Sequence, residues 1–181
     1  MLALALAGCG GGSGDEPPAI VESLRAGGLV LVVRHAPTES TTDTQEFLRS
    51  CSLQRNLSAA GREQARAIGE AIRELEIPIG EVRASPMCRT RDTARLMFGK
   101  STPDRELVSP GVIGTVADDT RRAARLRELV RARPRGANTV LVTHTGNIGE
   151  GLGESLVEGE MLVYDRGELV GRIKPDDWAG Y

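Results

Sequence analysis

Two aliphatic runs in this chain each end in a histidine. Leu29–Val33 leads directly into Arg34-His35, and Thr139–Thr143 leads into His144. These are the only two histidines among the 181 residues. A continuous β-branched and aliphatic run of this length reads as a strand buried on both faces. In sheets covered on both faces, ligands bind beyond the carboxyl ends of the strands. Both imidazoles are thus expected at the same functional edge.

The segments between the runs suit such a sheet. Ser58 reads as an N-cap for a helix over Ala59–Leu75, with Ala65, Ile68, Ala71, Ile72 and Leu75 at helical spacing. Pro78 and Gly80 close it, and Glu81–Ala84 is a short strand. "SPMCRTRDTARLMFG" turns into a second helix ending at Gly99. Glu106–Val108 reads as a weak strand, Ala117–Ala132 as a helix stopped by Pro134 and Gly136, and Gly146–Leu152 as the start of a short helix. Met161–Tyr164 and Glu168–Ile173 read as a hairpin around Asp165–Gly167. Thr38–Asn56 is a long polar loop with a turn of helix near Phe47. Strands alternating with helices predict an α/β fold, a three-layer α/β/α sandwich with a mixed, mostly parallel sheet. No internal repeat is evident.

The N-terminus differs from the rest. "MLALALAGC" is apolar and too short to span a bilayer, which needs ~20 apolar residues. Leu-Ala-Gly-Cys at Cys9 resembles the lipobox of bacterial lipoproteins, which implies lipidation at Cys9. One departure is that no Lys or Arg precedes the apolar run. The expected organisation is a lipoprotein-type signal segment over residues 1–9, a flexible tether over 10–18 and one domain over 19–181. Export would place the protein in the cell envelope or periplasm, with the membrane contacted only through the lipid anchor. In that compartment Cys51 and Cys88 are candidates for a disulfide.

Net charge is −2, which gives no sign of a nucleic-acid partner. The basic residues are almost all Arg, so an anion site here is built from guanidinium forks, which match phosphate in bidentate fashion. Arg34, His35, Arg89 and His144 are placed at one sheet edge and together read as a phosphoryl pocket. A neutral imidazole there can attack phosphorus. The arginines stabilise the charge that builds on the equatorial oxygens. No metal or other cofactor is required. Thr145, Asn147 and Arg55 are further candidates for phosphate contact. Taken singly, each residue has an ordinary structural use; it is their convergence that points to catalysis.

In order, these motifs resemble the histidine phosphatase superfamily. Arg34-His35-Ala36 resembles its Arg-His-Gly, "LSAAGREQA" at Leu57–Ala65 its helix motif, and "ASPMCRTRDTA" at Ala84–Ala94 its Ser-Pro-x-x-Arg signature. "LVTHTGNI" resembles the strand carrying the second histidine. The resemblance implies a phosphoglycerate mutase-like fold and a phosphohistidine intermediate on His35, with His144, Arg34 and Arg89 gripping the phosphoryl group. Two departures stand out. Ala36 replaces glycine, tolerable if φ stays negative. Ser109 stands where many members carry an acidic proton donor, and Thr145 where another branch carries aspartate. Glu39 is then the first candidate donor, ahead of Asp43 and Glu160. A missing acid, worth ~10²–10⁴-fold, favours leaving groups that depart easily, such as phosphohistidine or an activated aryl or acyl phosphate.

The expected function is a metal-independent phosphatase acting on a phosphorylated small molecule or phosphoprotein. The alternative is a phosphate-binding module of the same fold without turnover. A mutase would need a large substrate-enclosing insertion, for which this chain is short.

Overall fold

The structure, a computed structural model, describes residues 18–43, 46 and 49–181. Cys9, nearly all of the expected tether and the turn expected near Phe47 lie outside the described residues.

The strands are β1 (Val30–Arg34), β2 (Ile79–Ala84), β3 (Thr102–Pro103), β4 (Asn138–Thr143), β5 (Met161–Asp165) and β6 (Glu168–Ile173). They form one sheet in the order β3-β2-β4-β1-β5-β6. The β3-β2-β4-β1 portion is parallel, while β5 and β6 are antiparallel. The helices are α1 (Ala19–Ala26), α2 (Ala59–Glu74), α3 (Cys88–Phe98), α4 (Val116–Leu129) and α5 (Thr145–Leu152).

Period-two alternation divides the central strands between two cores. On one face Leu31, Val33, Val140, Val142 and Val163 pack with Leu24 of α1, Ala65, Ile68 and Ile72 of α2, and Ala94 and Met97 of α3. On the other, Val30, Val32, Leu141 and Leu162 pack with Leu126 of α4, Ile148 of α5, and Leu107. This is the expected three-layer sandwich. The aliphatic runs lack polar alternation because both faces are covered.

Two local expectations are corrected. Glu106–Val108 is not a strand. Arg105–Leu107 is a 3-10 turn, and the short strand lies earlier, at Thr102–Pro103. Asp104 caps the turn through the Glu106 N–H at 2.9 Å, and Thr143 Oγ1 donates to the Leu107 carbonyl at 2.7 Å. The polar Asp104 thus bends the chain where Leu-Val alone suggests extension. Helix α1 is an addition to the expected elements, although Val21 and Leu24 share its buried face and Gly27 follows it. Its helical run is short, and it begins directly after the residues that read as tether. Other boundaries move by a few residues, as helix and strand ends do.

Gly61 fixes how the first loop meets α2. Ser58 caps the helix by accepting from the Gly61 N–H at 3.0 Å, and the Pro37 carbonyl accepts from the Ser58 N–H at 3.0 Å. A Cβ on Gly61 would lie 1.9 Å from the Pro37 oxygen. Gly61→Ala gains helix propensity of up to ~1 kcal/mol but drives a methyl into backbone two residues beyond His35. Overpacking of this kind costs ~1–3 kcal/mol. The expected outcome in urea unfolding is a lower midpoint than wild type; an unchanged or higher midpoint refutes the contact.

Candidate active site

The parallel pairing of β1 with β4 builds the centre of the site. Arg34 lies in register with Thr143, and the His35 N–H extends the ladder to the Thr143 carbonyl at 3.1 Å. His35 and His144 therefore leave neighbouring strands at one level. Their ring centroids are 5.5 Å apart, with the planes at 64°. Both residues are buried, at 3% exposure each.

Each ring is held by one nitrogen. His35 Nδ1 lies 2.9 Å from the Ala36 carbonyl. A carbonyl only accepts, so Nδ1 carries the proton and Nε2 keeps its lone pair. Ala36 is not among the described residues with positive φ, so alanine here needs no left-handed backbone. His144 Nε2 lies 2.9 Å from Ser85 Oγ. Ser85 Oγ also accepts from the Met87 N–H at 3.5 Å and can give its own proton to the imidazole. In that arrangement the ring proton of His144 sits on Nδ1.

The segment after β2 supplies three functions from one turn and helix. Ser85 orients His144. Arg89, on the first turn of α3, is 4% exposed. Thr93, one turn later, accepts from the Ala36 N–H at 3.0 Å and donates to the Arg89 carbonyl at 2.8 Å. Arg89 and Thr93, four residues apart on α3, share the helix face that meets the ends of β1 and β4, and Ser85 reaches the same place from the turn before the helix. Ser85 and Thr93 are additions to the residues that sequence singles out, although Ser85 opens the Ser-Pro-x-x-Arg motif and Thr93 lies in the same Ala84–Ala94 stretch.

Two acidic residues also belong to the site. Asp43 accepts from Arg89 Nη1 through both carboxylate oxygens at 3.2 Å, and from the Arg55 N–H at 2.7 Å. Glu158 Oε1 lies 3.6 Å from Arg34 Nη2 and 3.9 Å from His35 Nδ1. Glu158 carries no signal in sequence, since it sits over a hundred residues from His35 in an ordinary turn. Arg34 donates to the Leu156 carbonyl at 2.7 Å.

The remaining candidates are placed as follows. Arg55 presents its carbonyl to Arg89 Nη1 at 3.4 Å, and its charge acts on both histidines. Asn147 donates from Nδ2 to the carbonyls of Glu106 and Val108, at 3.2 and 3.1 Å, and so braces that loop. Thr145 is exposed at the start of α5. Glu39 is exposed and joins the loop through its backbone N–H to the Asn56 carbonyl. Glu160 is buried between Arg172 and the Val157 N–H. Ser109 packs against the first turn of α5, its Oγ 2.8 Å from where a Cβ on Gly146 would stand. Cys51 and Cys88 are joined by a disulfide, Cα atoms 5.7 Å apart.

Burial keeps both imidazoles neutral. His35 is lowered to about 4, first by desolvation and then by Arg89, Arg34 and Arg55, against the upward pull of the Ala36 carbonyl. His144 is lowered well below the ordinary histidine value, again mainly by burial and then by Arg89. The sign for stability follows. The unfolded chain takes up the His35 proton first, near pH 6.5. The folded state therefore loses stability as pH falls from about 6.5 towards about 4, by on the order of 3 kcal/mol for this group. With only two histidines, imidazole NMR checks this directly. Neither ring should titrate between about pH 7.5 and 5.5, and urea unfolding of His35→Gln should depend less on pH over about 6.5–4 than wild type. A ring titrating near 6.5, the ordinary value, contradicts the geometry.

The comparisons with known proteins agree with this architecture. The family model described as "Histidine phosphatase superfamily (branch 1)" matches residues 30–107, the stretch carrying Arg34, His35 and Arg89. Among curated protein sequences, none matches this chain. Solved structures do. One is the protein histidine phosphatase SixA complexed with tungstate, at 15% identity and TM-score 0.58, covering 82% of this chain and 98% of that one. A second is a mutant phosphoserine phosphatase from Entamoeba histolytica in complex with phosphoserine, at 13% identity and TM-score 0.59, covering 81% and 97%. A third is the protein TTHB049 from Thermus thermophilus, at 20% identity and TM-score 0.54, covering 81% and 98%. The chain has the phosphoglycerate mutase-like fold.

Proposed function

We propose that this chain is a histidine phosphatase that hydrolyses a phosphorylated small molecule or phosphoprotein through a covalent phosphohistidine on His35. One observation carries the reading: two buried, neutral imidazoles stand 5.5 Å apart at the centre of a cluster of guanidiniums. An anion is what such a cluster binds, and a neutral imidazole with a free Nε2 lone pair is what can attack it. Arg34 Nε and Arg89 Nε add buried donors with no partner within the protein, and a phosphoryl oxygen satisfies such donors. The family match over residues 30–107 and the histidine and phosphoserine phosphatases of the same fold support the same chemistry.

In this mechanism Nε2 of His35 forms the P–N bond as the bond to the leaving group breaks. Arg34, Arg55 and Arg89 offset the charge on the phosphoryl oxygens. His144 donates to the same group from the opposite side. Water then forms a P–O bond as the P–Nε2 bond breaks; the electron pair returns to the ring, and the water's proton passes to an oxygen of the departing phosphate. No residue of this cycle needs a metal. Ser109, a hydroxyl where an acid is usual, cannot protonate an alkoxide effectively. Leaving groups of low basicity are therefore favoured, phosphohistidine and aryl or acyl phosphates among them. We also propose an exported setting. The lipobox-like Cys9 and the Cys51–Cys88 disulfide both suit an oxidising compartment.

The test is phosphoryl transfer itself. Wild type should hydrolyse para-nitrophenyl phosphate in the presence of EDTA and yield an acid-labile phosphoenzyme. His35→Ala should form none. Arg89→Ala should lose roughly 10²–10³-fold in kcat/KM, the scale of removing one charge-stabilising donor. Equal turnover by wild type and His35→Ala would sink the reading.

A further inference from the structure

The turn before β5 carries a carboxylate that this chemistry has not yet used. Residues 157–160 are closed by the Glu160 N–H to the Val157 carbonyl at 3.2 Å. Gly159 within them, at φ +86°, donates one N–H to the carbonyls of both Arg34 and His35, at 3.2 and 3.1 Å. The Arg34 N–H in turn donates to the Glu160 carbonyl at 3.1 Å. The turn is thus clamped to the backbone of the nucleophile. Glu160 points away, to Arg172 at 2.8 Å. Glu158 points in. It accepts from Thr38 Oγ1 at 3.3 Å, pairs with Arg34 at 3.6 Å and stands 3.9 Å from His35 Nδ1.

Building on the phosphatase reading above, we propose that Glu158 is the counter-ion of the phosphorylated nucleophile, a positioning residue that keeps the His35 ring cationic while phosphorus is attached. When Nε2 attacks phosphorus the ring keeps its Nδ1 proton and becomes positively charged. The second step needs that charge. As water adds to phosphorus and the P–Nε2 bond breaks, a protonated ring departs as neutral imidazole, whereas a deprotonated ring would depart as imidazolate. The ring must therefore hold its Nδ1 proton until hydrolysis.

The charges around His35 make this a real demand. Arg34 on its own strand, Arg89 on α3 and Arg55 on the first loop all oppose a cationic ring, and His144 adds none while neutral. The bound phosphoryl group offsets these arginines on the Nε2 side only. On the Nδ1 side the Ala36 carbonyl supplies a dipole, and Glu158 supplies the full negative charge. Among the described residues it is the carboxylate paired with this ring. The arrangement resembles a base oriented by a third group, with the carboxylate acting through space on a nucleophile.

The experiment follows decay of the phosphoenzyme formed by the full chain with para-nitrophenyl phosphate, using rapid quench between about pH 6 and 10, a range that spans the loss of an imidazolium proton. Decay should be constant until the Nδ1 proton is lost and fall above that point. Glu158→Gln should move this alkaline limb down by about one pH unit and slow decay about tenfold at pH values above it. Glu158→Asp should restore most of the wild-type profile. A Glu158→Gln profile that superimposes on wild type overturns the proposal and leaves the phosphatase reading intact. Absence of any phosphoenzyme in wild type overturns that reading, and this one with it. Should Glu158→Gln not fold, Glu158→Ala, which also removes the charge, takes its place, and an unshifted alkaline limb there overturns the proposal.

Discussion

The parallel hydrogen bonding between β1 and β4 is the constraint on which the rest depends. Two strands more than a hundred residues apart in sequence lie in register from Val30 opposite Thr139 to Arg34 opposite Thr143. A side chain that follows each strand therefore emerges at the same height. Shifting the register by one residue would turn every strand side chain to the other face. Leu31 and Val33 would then exchange cores with Val30 and Val32, and His35 would leave the level of His144. The two cores that flank the sheet thus enforce the spacing of the two imidazoles.

The site brings like charges together and leaves its histidines uncharged. Arg89 is nearly buried and is balanced by Asp43, while Arg34 is partly balanced by Glu158. Without those carboxylates, guanidiniums beside buried rings would have only backbone carbonyls as partners, and an unpaired buried charge is costly. The acidic residues let the positive cluster exist in a folded protein. The histidines solve the same problem differently, by giving up their protons to desolvation. That neutrality is also what leaves a lone pair on His35 Nε2.

Much of this arrangement is legible in the chain. The unbroken aliphatic runs announce strands covered on both faces, and the strand-end placement of His35 and His144 follows from that. The spacing of the segment after β2 puts Arg89 at a helix start. What sequence does not carry is polar geometry. Asp104 turns a segment that reads as extended, because a side-chain cap outweighs the weak strand preference of three residues. Glu158 enters the site through a turn fixed by backbone bonds from Gly159, a pairing that no periodicity encodes. Ser85 and Thr93 look like turn and helix residues, and their roles emerge only once β1 and β4 lie beside them. Helix α1 is masked by a flanking segment of Gly, Ser and Pro.

The first loop shows how a polar segment acquires a fixed place without a core of its own. None of Cys51–Leu53 is buried, so apolar burial does not hold this stretch. Its ties are the Gln54 side chain accepting from the Cys88 N–H at 2.8 Å, the Arg55 carbonyl accepting from Arg89, and the disulfide from Cys51 to Cys88 across 37 residues. Hydrogen bonds of this kind contribute ~1 kcal/mol each. In the chain-entropy model a crosslink closing a loop of this length contributes roughly 4 kcal/mol. The disulfide is therefore the strongest single tie, and it attaches one residue before Arg89 and four before Arg55. The covalent bond joins the two segments that deliver these guanidiniums, so the oxidation state of two cysteines bears directly on how well the guanidinium cluster is assembled.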